Sequence, residues 1–540
     1  MSEPQYEAPD YEAVIIGAGV CGLYQMHRLQ EMGMRATVLE AAGDLGGTWR
    51  QNRYPGARFD SESVSYGYSF SKDLLAEWNW SERFAGRAET ERYLHHVADR
   101  FDLRRHIQFN RTVTAATWDE ARHRWSVTLA DGETLTTRYL LTAIGMLSTP
   151  TLPRYKGVDS FEGLSFHTYH APAEPVDYTG KRVAVIGTGA TGVQVISELA
   201  DNVGDLTVFQ RRPNWCAPLH NAPIGPEEMA TLKASYDEIF AACRESGGGF
   251  IHQPDHRKTF EVPQVERLAF WEKLYATPGF AKWVGNFGDV SFDAAANAEY
   301  SAFIAGKIRQ RVKDPVLAEK LIPTDHGFGT RRVPLETRYY EAYNRDTVHL
   351  VDVNETPIVE ITPTGVKTSD KDYAFDIIIY ATGFDAITGA FDRIAFTGVG
   401  GQTLKDKWAD IPATAYGVMT HGFPNLVTLA GPQSASVASN FPRAIEDIVD
   451  WWSGFLADLR ARGLTRVEAK QATEDAWVSH LQAITDSLLL SKAKSWFTGY
   501  NGNLDRAYKN RYLIYVGGGP RYREKLGREV DTGYAGFDLA

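Results

Sequence analysis

The chain has 540 residues, more than one hydrophobic core organises, so two to four domains or subdomains are expected. Its composition is that of an ordinary globular protein, 43% hydrophobic and 23% charged, and its net charge of −11 argues against nucleic acid or an anionic membrane as the main target. No apolar run reaches the roughly 18 residues of a spanning helix, the acidic start MSEPQYEAPDYEA has no secretory character, and three scattered cysteines, Cys21, Cys216 and Cys243, point to a reduced, cytoplasmic setting without a disulfide framework, a metal cluster or a dithiol reductase centre.

The predicted elements begin with a short apolar strand, Val14-Ile15-Ile16, which runs straight into Gly17-Ala18-Gly19-Val20-Cys21-Gly22. A helical pattern follows, with Leu23, Met26 and Leu29 on one face and Gly33 as its stop. Ala36 to Leu39 reads as a second strand ending at Glu40. The same unit returns with Val183 to Ile186 as strand and Gly187-Thr188-Gly189-Ala190-Thr191-Gly192 as turn. Val193, Val195, Ile196 and Leu199 then lie in a helical context, and Leu206 to Phe209 is the next strand. Two such units predict an α/β protein with two doubly wound, Rossmann-like dinucleotide-binding domains.

Between residues 218 and 327 the texture turns helical. Pro226-Glu227-Glu228 opens a helix whose stripe, Met229, Leu232, Tyr236, Ile239, Phe240 and Cys243, stops at Gly247-Gly248-Gly249. Val265 to Tyr275 and Ala294 to Val312 continue in that style, and strands resume at Val359 to Ile361 and Asp376 to Tyr380. The last 150 residues mix short strands with helices such as Ala444 to Leu459. The expected division is an FAD-binding domain from residues 1–150 and 381–540, an NADP-binding domain from 151–217 and 328–380, and a helical insertion at 218–327.

The two glycine turns differ where cofactor choice is made. Gly17, Gly19 and Gly22 let the backbone approach a pyrophosphate at a helix N-terminus, and Glu40, 18 residues after Gly22, can accept hydrogen bonds from a ribose diol. That pattern suits FAD. Behind Gly187, Gly189 and Gly192 the matching position holds Gln210-Arg211-Arg212. A carboxylate there would repel the 2′-phosphate of NADP, whereas guanidinium groups bind it through charge-assisted bonds. The alternative is that both arginines are solvated surface charges. Two dinucleotides in one chain imply hydride flow from NADPH to a flavin, and with no dithiol or metal set O2 is the natural next acceptor.

Three further segments carry a resemblance. Phe161-Glu162-Gly163-Leu164-Ser165-Phe166-His167-Thr168-Tyr169-His170-Ala171-Pro172 resembles the Baeyer–Villiger monooxygenase fingerprint Phe-x-Gly-x-x-x-His-Thr-x-x-Trp-Pro. Gly46-Gly47-Thr48-Trp49 through Arg58-Phe59-Asp60 is similar to a second signature of that family, and Ala381-Thr382-Gly383-Phe384 to a third. The resemblance runs nearly end to end and is nearest to the cyclohexanone, phenylacetone and terpenoid-ketone branch. It implies NADPH- and O2-dependent conversion of ketones to esters or lactones through a flavin C4a-peroxide, with no protein partner evident. It also implies roles. Arg332 stands at the catalytic arginine, Asp60 at the carboxylate that pairs with it, Arg331 at a cation that contacts NADP phosphate, and Trp496 at a mobile-loop tryptophan. His167, with Phe161, Gly163, Thr168 and His170, belongs to the fingerprint linker, and Gly47, Thr48 and Trp49 to the flavin loop. Loop residues 433–441 are expected near the substrate.

Bland readings stand beside these: Asp60 as a helix cap, Arg332 as a surface ion pair, His167 as scaffold, Trp496 as core. Two departures are expected to bear on coupling and substrate choice, His170 read in place of the fingerprint tryptophan, and Arg50-Gln51 in place of a Tyr-Trp pair. Two rival functions remain open: a related monooxygenase that oxygenates sulfur or nitrogen and does not depend on Arg332, and a cofactor-binding module that has lost catalysis.

Overall fold

The computed structural model describes residues 8–504 and 507–540, apart from the side chains of Val437 and Ala438. Residues 1–7 of the acidic start, and those two side chains of the expected pocket loop, lie outside the described residues.

Two sheets organise the chain. In the first, Tyr11–Ile16 lies between Ala36–Leu39 and Thr134–Thr142, parallel to both. Val14 and Ile15 are fully buried, as a continuous apolar run in a central parallel strand requires. Beyond Thr134–Thr142 the sheet continues through an antiparallel excursion, Arg124–Leu129 and Val113–Asp119, which the glycine-turn pattern does not announce. Two late strands return to it: Ala395–Thr397 pairs with Val113–Asp119, and Leu426–Thr428 with Thr134–Thr142. The helix Val20–Glu31 covers one face, with Leu23, Met26 and Leu29 buried against the long helix Phe441–Ala461. Ile445, Ile448, Val449, Trp452 and Leu456 form the matching helical stripe, and Tyr24 Oη donates to Asp450 Oδ1 at 2.6 Å at its edge.

The second sheet has five parallel strands in the order Val348–Asp352, Asp205–Gln210, Arg182–Ile186, Ile377–Tyr380, Leu164–His167. The helix Ala190–Leu199 follows its glycine turn. A three-stranded antiparallel flap, Ile358–Thr362, Gly365–Thr368 and Asp372–Ala374, leads into Ile377–Tyr380. Residues 218–327 are mainly helical and bury Trp271, Tyr300 and Ile304.

One expected helix is two. The stripe from Met229 to Cys243 is split into Pro226–Ala234 and Tyr236–Glu245 at Ser235, whose hydroxyl donates to Thr231 O at 3.0 Å and whose backbone leaves helical angles. Among the described residues no helix is long and apolar enough to cross a membrane.

Candidate active site

The first glycine turn is packed backbone on backbone. Gly17 has φ +104°, and a Cβ there would stand 2.5 Å from Ala143 O. Gly22 lies directly on the Gly17 carbonyl. Gly19 and Gly47 face each other, with a Cβ on Gly47 (φ +52°) reaching within 2.9 Å of Gly19 Cα. The helix that opens at Gly19 has no side-chain cap, so its first N–H groups remain for a ligand. Glu40 is buried, and its carboxylate accepts from Ala18 N at 2.7 Å and Ala42 N at 2.8 Å. Burial pushes its carboxyl up against the pull of those N–H groups. Glu40 therefore also braces the glycine turn. In the neighbouring flavin-loop segment Trp49 is buried edge-on to Phe59 and Tyr66 and donates to Tyr66 Oη at 3.1 Å, while Thr48 is exposed. Arg50 reaches 3.8 Å from Glu91.

The second turn repeats the packing. Gly187 (φ +112°) sits against the Ala381 carbonyl and Gly192 on the Gly187 carbonyl, while the space before Gly189 is open. Thr188 Oγ1 donates to Arg212 O at 2.8 Å. The Arg212 guanidinium lies 3.8 Å from Asp325 and over the Tyr500 ring at 5.4 Å. Arg331 Nη2 donates to the same Asp325 oxygen at 2.8 Å. The Arg211 guanidinium lies against Gly502.

Tyr500 belongs to the segment that carries Trp496. A short turn, Trp496–Thr498, is closed by Ser495 N donating to Thr498 Oγ1 at 3.2 Å and Thr498 N donating to Ser495 O at 3.0 Å, and Trp496 is half-buried on Phe497. Asn501 Nδ2 donates to Phe384 O at 2.7 Å and Asn503 Nδ2 to Thr382 O at 2.8 Å. The segment is thus held on Ala381-Thr382-Gly383-Phe384.

The linker fingerprint reaches the same element. His167 ends the strand Leu164–His167; its Nε2 lies 3.1 Å from Gly383 O, and its Nδ1 accepts from Tyr169 N at 3.1 Å. Burial pushes the ring down to about 4, so it is neutral at ordinary pH. Gly163 is needed for space, because a Cβ would meet Asp376 O at 2.6 Å. Phe161 packs on the second sheet, and Thr168 is buried. One expectation is corrected. Counted from Phe161, the fingerprint tryptophan falls on Ala171, not His170. Ala171 packs on the apolar cluster that holds Val183, Val185 and Ile196, whereas His170 is exposed beside Tyr169.

Asp60 and Arg332 meet across 272 positions of sequence. Arg332 Nη1 donates to Asp60 Oδ2 at 2.8 Å and to Val333 O at 3.0 Å. The Asp60 side chain is 5% exposed and Arg332 30%. Asp60 caps no helix; its second contact is the backbone N–H of Leu335 at 3.3 Å. Nη2 and Nε of Arg332 have no protein partner among the described residues. The guanidinium lies over the Phe280 ring at 5.4 Å, and Phe280 packs on Phe250 at 4.8 Å. Tyr54, in the loop leading to Asp60, donates to Gln194 at 2.8 Å, and Gln194 donates to Arg58 O at 3.0 Å. These bonds tie the Asp60 loop to the helix after the second glycine turn.

Sequence reasoning missed Phe280, Asp325, Asn501 and Asn503. Only Asp325 had a possible signal, a carboxylate six residues before Arg331.

Residues 14–247 match the family model described as pyridine nucleotide-disulphide oxidoreductase. The three cysteines are all buried and unpaired, so that match concerns the dinucleotide scaffold. The chain is 45% identical to 2-oxo-Δ3-4,5,5-trimethylcyclopentenylacetyl-CoA monooxygenase of Pseudomonas putida, over 99% of both chains. It is 39% identical to a Baeyer–Villiger monooxygenase of Pseudooceanicola batsensis, covering 97% of this chain and 95% of that one. The chain belongs to the Baeyer–Villiger monooxygenase family. A crystal structure titled OTEMO complex with FAD and NADP superposes with a TM-score of 0.96 at 45% identity, covering 99% of this chain and 100% of that one. Membership of the Baeyer–Villiger monooxygenases accounts for two glycine turns, one uncapped helix end apiece, in a chain without a reactive dithiol.

Proposed function

We propose that the chain is a Baeyer–Villiger monooxygenase that uses FAD, NADPH and O2 to turn a ketone into an ester or lactone, with Arg332 and Asp60 as its catalytic pair. The observation that carries this reading is the Asp60–Arg332 contact at 2.8 Å, with two guanidinium nitrogens left without a protein partner among the described residues.

The residues present fit both cofactors. Backbone contact between Gly19 and Gly47 makes a cradle that a side chain on either residue would narrow, and Gly17, Gly22, Glu40, Thr48 and Trp49 would line the FAD site with them. Open space before Gly189, an uncapped helix and the cations Arg211, Arg212 and Arg331 suit NADP. Residues 1–150 with 381–540 would form the FAD-binding domain, 151–217 with 328–380 the NADP-binding domain, and 218–327 the insertion. The return of Ala395–Thr397 and Leu426–Thr428 to the first sheet supports that division. Three buried, unpaired cysteines support a reducing cytoplasmic setting.

FAD reduced by NADPH supplies the electrons that activate O2 for attack on a carbonyl carbon. Arg332 presents Nη2 and Nε to the negative charge that builds on oxygen during that attack. A fixed donor costs no reorganisation at that moment, and one such donor is worth about 10²–10³ in rate. Asp60 anchors Nη1, which leaves the guanidinium one orientation, and Phe280 excludes water from one face. His167 and Asn501 hold the linker and the Trp496 segment on the same backbone turn, Gly383-Phe384.

A panel of cyclic and aryl ketones, incubated with NADPH and air, tests the reading. Products heavier by one oxygen are expected. Oxygen consumption that yields only hydrogen peroxide across the panel overturns it.

A further inference from the structure

We infer that Asp325 is a built-in competitor for the 2′-phosphate of NADP, and that its carboxylate, seated on Arg331 and Arg212, sets the strength and selectivity of nucleotide binding. The inference rests on the reading of those arginines as phosphate contacts.

The two cations come from distant parts of the chain and converge on one oxygen. Asp325 Oδ2 is 2.8 Å from Arg331 Nη2 and 3.8 Å from Arg212 Nη1. Its other oxygen is held by His326, Nδ1 to Oδ1 at 2.6 Å. The His326 side chain is 1% exposed, so it fixes the carboxylate from the protein side, while Asp325 itself is 40% exposed toward solvent. Partial burial opposes ionisation, but the bonds from His326 and Arg331 prevail and hold the carboxyl below its usual range. Asp325 is therefore an anion at neutral pH. It does not saturate the cations. Arg331 Nε has no hydrogen-bond partner among the described residues, and Arg212 spreads its contacts between Asp325 and the Tyr500 ring.

A 2′-phosphate brought to these guanidinium groups meets a like charge already bound to them. The repulsion subtracts from the affinity that the arginines supply. NAD presents a neutral 2′-hydroxyl, which meets no such repulsion and can donate to the carboxylate. Asp325 thus narrows the gap between the two nucleotides. It also retakes the arginines when the nucleotide leaves, so that departure does not strand two cations beside one another.

The substitution Asp325→Asn separates charge from shape. The amide oxygen can keep Arg331. His326 can take the amide N–H on Nδ1 by changing tautomer, because its Nε2 has no partner to lose. Calorimetric titration of the oxidised, FAD-loaded protein with NADP+ and NAD+ is the test, run beside Asp325→Ser, which removes the charge with a different side chain, and Arg331→Ala. Both Asp325 variants are expected to bind NADP+ about three- to tenfold more tightly than wild type, with NAD+ changed by less than about twofold. The gain should shrink as salt is raised from about 0.05 to 0.5 M. NADP+ affinity that is unchanged or weaker in both variants, while Arg331→Ala weakens it, overturns the role of Asp325 alone. Arg331→Ala without effect on NADP+ overturns the phosphate assignment and the inference with it.

Discussion

The His167 ring and the Gly383 carbonyl are joined at 3.1 Å, so the end of one strand of the second sheet is tied to the turn that follows its neighbour. A neutral ring protonated on Nε2 satisfies both of its contacts, whereas a second proton on Nδ1 would break the bond from Tyr169 N.

That arrangement has a pH signature. Burial holds the folded ring at about 4, below the 6.5 of an exposed histidine. Between those values the unfolded chain binds a proton that the native protein does not, so stability rises with pH there. The contribution of His167 is present above about 6.5 and is lost as pH falls toward about 4. By pH 5 the loss is on the order of 2 kcal/mol. His167→Gln, which can still donate to Gly383, is expected to flatten that part of the thermal-stability profile between pH 6.5 and 5. A profile as steep as wild type would show that His167 does not titrate this way.

Gly19→Ala separates folding from flavin binding. Gly19 has no positive φ, and a Cβ there makes only an ordinary 3.5 Å contact with Gly47. The apoprotein is expected to melt within about 2 °C of wild type. The added methyl fills the cradle, so FAD affinity is expected to fall at least about tenfold, which is roughly 1.4 kcal/mol. Flavin fluorescence on titration gives the comparison, and unchanged affinity would move the FAD pyrophosphate elsewhere.

Arg331 should discriminate between reductants. Its side chain is 13% exposed and its guanidinium is held by one carboxylate. A lost charge-assisted bond to phosphate costs about 1.5–3 kcal/mol. Arg331→Ala is therefore expected to raise KM for NADPH by about tenfold or more while leaving kcat/KM for NADH within about threefold. Equal losses for both nucleotides would place Arg331 away from the 2′-phosphate.

Much of this fold is legible in the sequence because buried parallel strands and glycine turns have strong local signatures. Val14 to Ile16 and Val183 to Ile186 read as continuous apolar runs, and each is followed by a glycine packed on a neighbouring carbonyl. The antiparallel excursion from Val113 to Thr142 was silent, since its alternating strands carry no motif. Ser235 broke a helix through its own hydroxyl, which periodicity does not weigh. Asp60 and Arg332 were readable through motif resemblance alone, because their contact is set by how two distant loops fold. Phe280 was not readable at all: one phenylalanine in a helical insertion becomes significant only when the fold lays it under Arg332. Asp325 gains its meaning only in the fold, which brings Arg212 from the end of a second-sheet strand to the carboxylate that Arg331 already holds.

Asp60 should act through Arg332 and not on flavin loading. Removing its carboxylate leaves Leu335 N–H and Arg332 Nη1 without their anion. Asp60→Ala is expected to retain FAD and to lower ester formation at least about tenfold, with extra NADPH consumed as hydrogen peroxide. Asp60→Glu, which restores the charge on a longer arm, should recover part of the rate. Full ester yield in Asp60→Ala would separate the carboxylate from the reaction.

Arg332→Ala gives the most direct measurement, read in a single rapid-mixing experiment that follows flavin reduction by NADPH and then ester formation with a ketone and O2. Reduction is expected to stay within about threefold of wild type, and ester formation to fall by about 10²–10³ or more. Ester formed at a rate within about tenfold of wild type would contradict the account, because the reaction would then run without the cation that Asp60 holds in place.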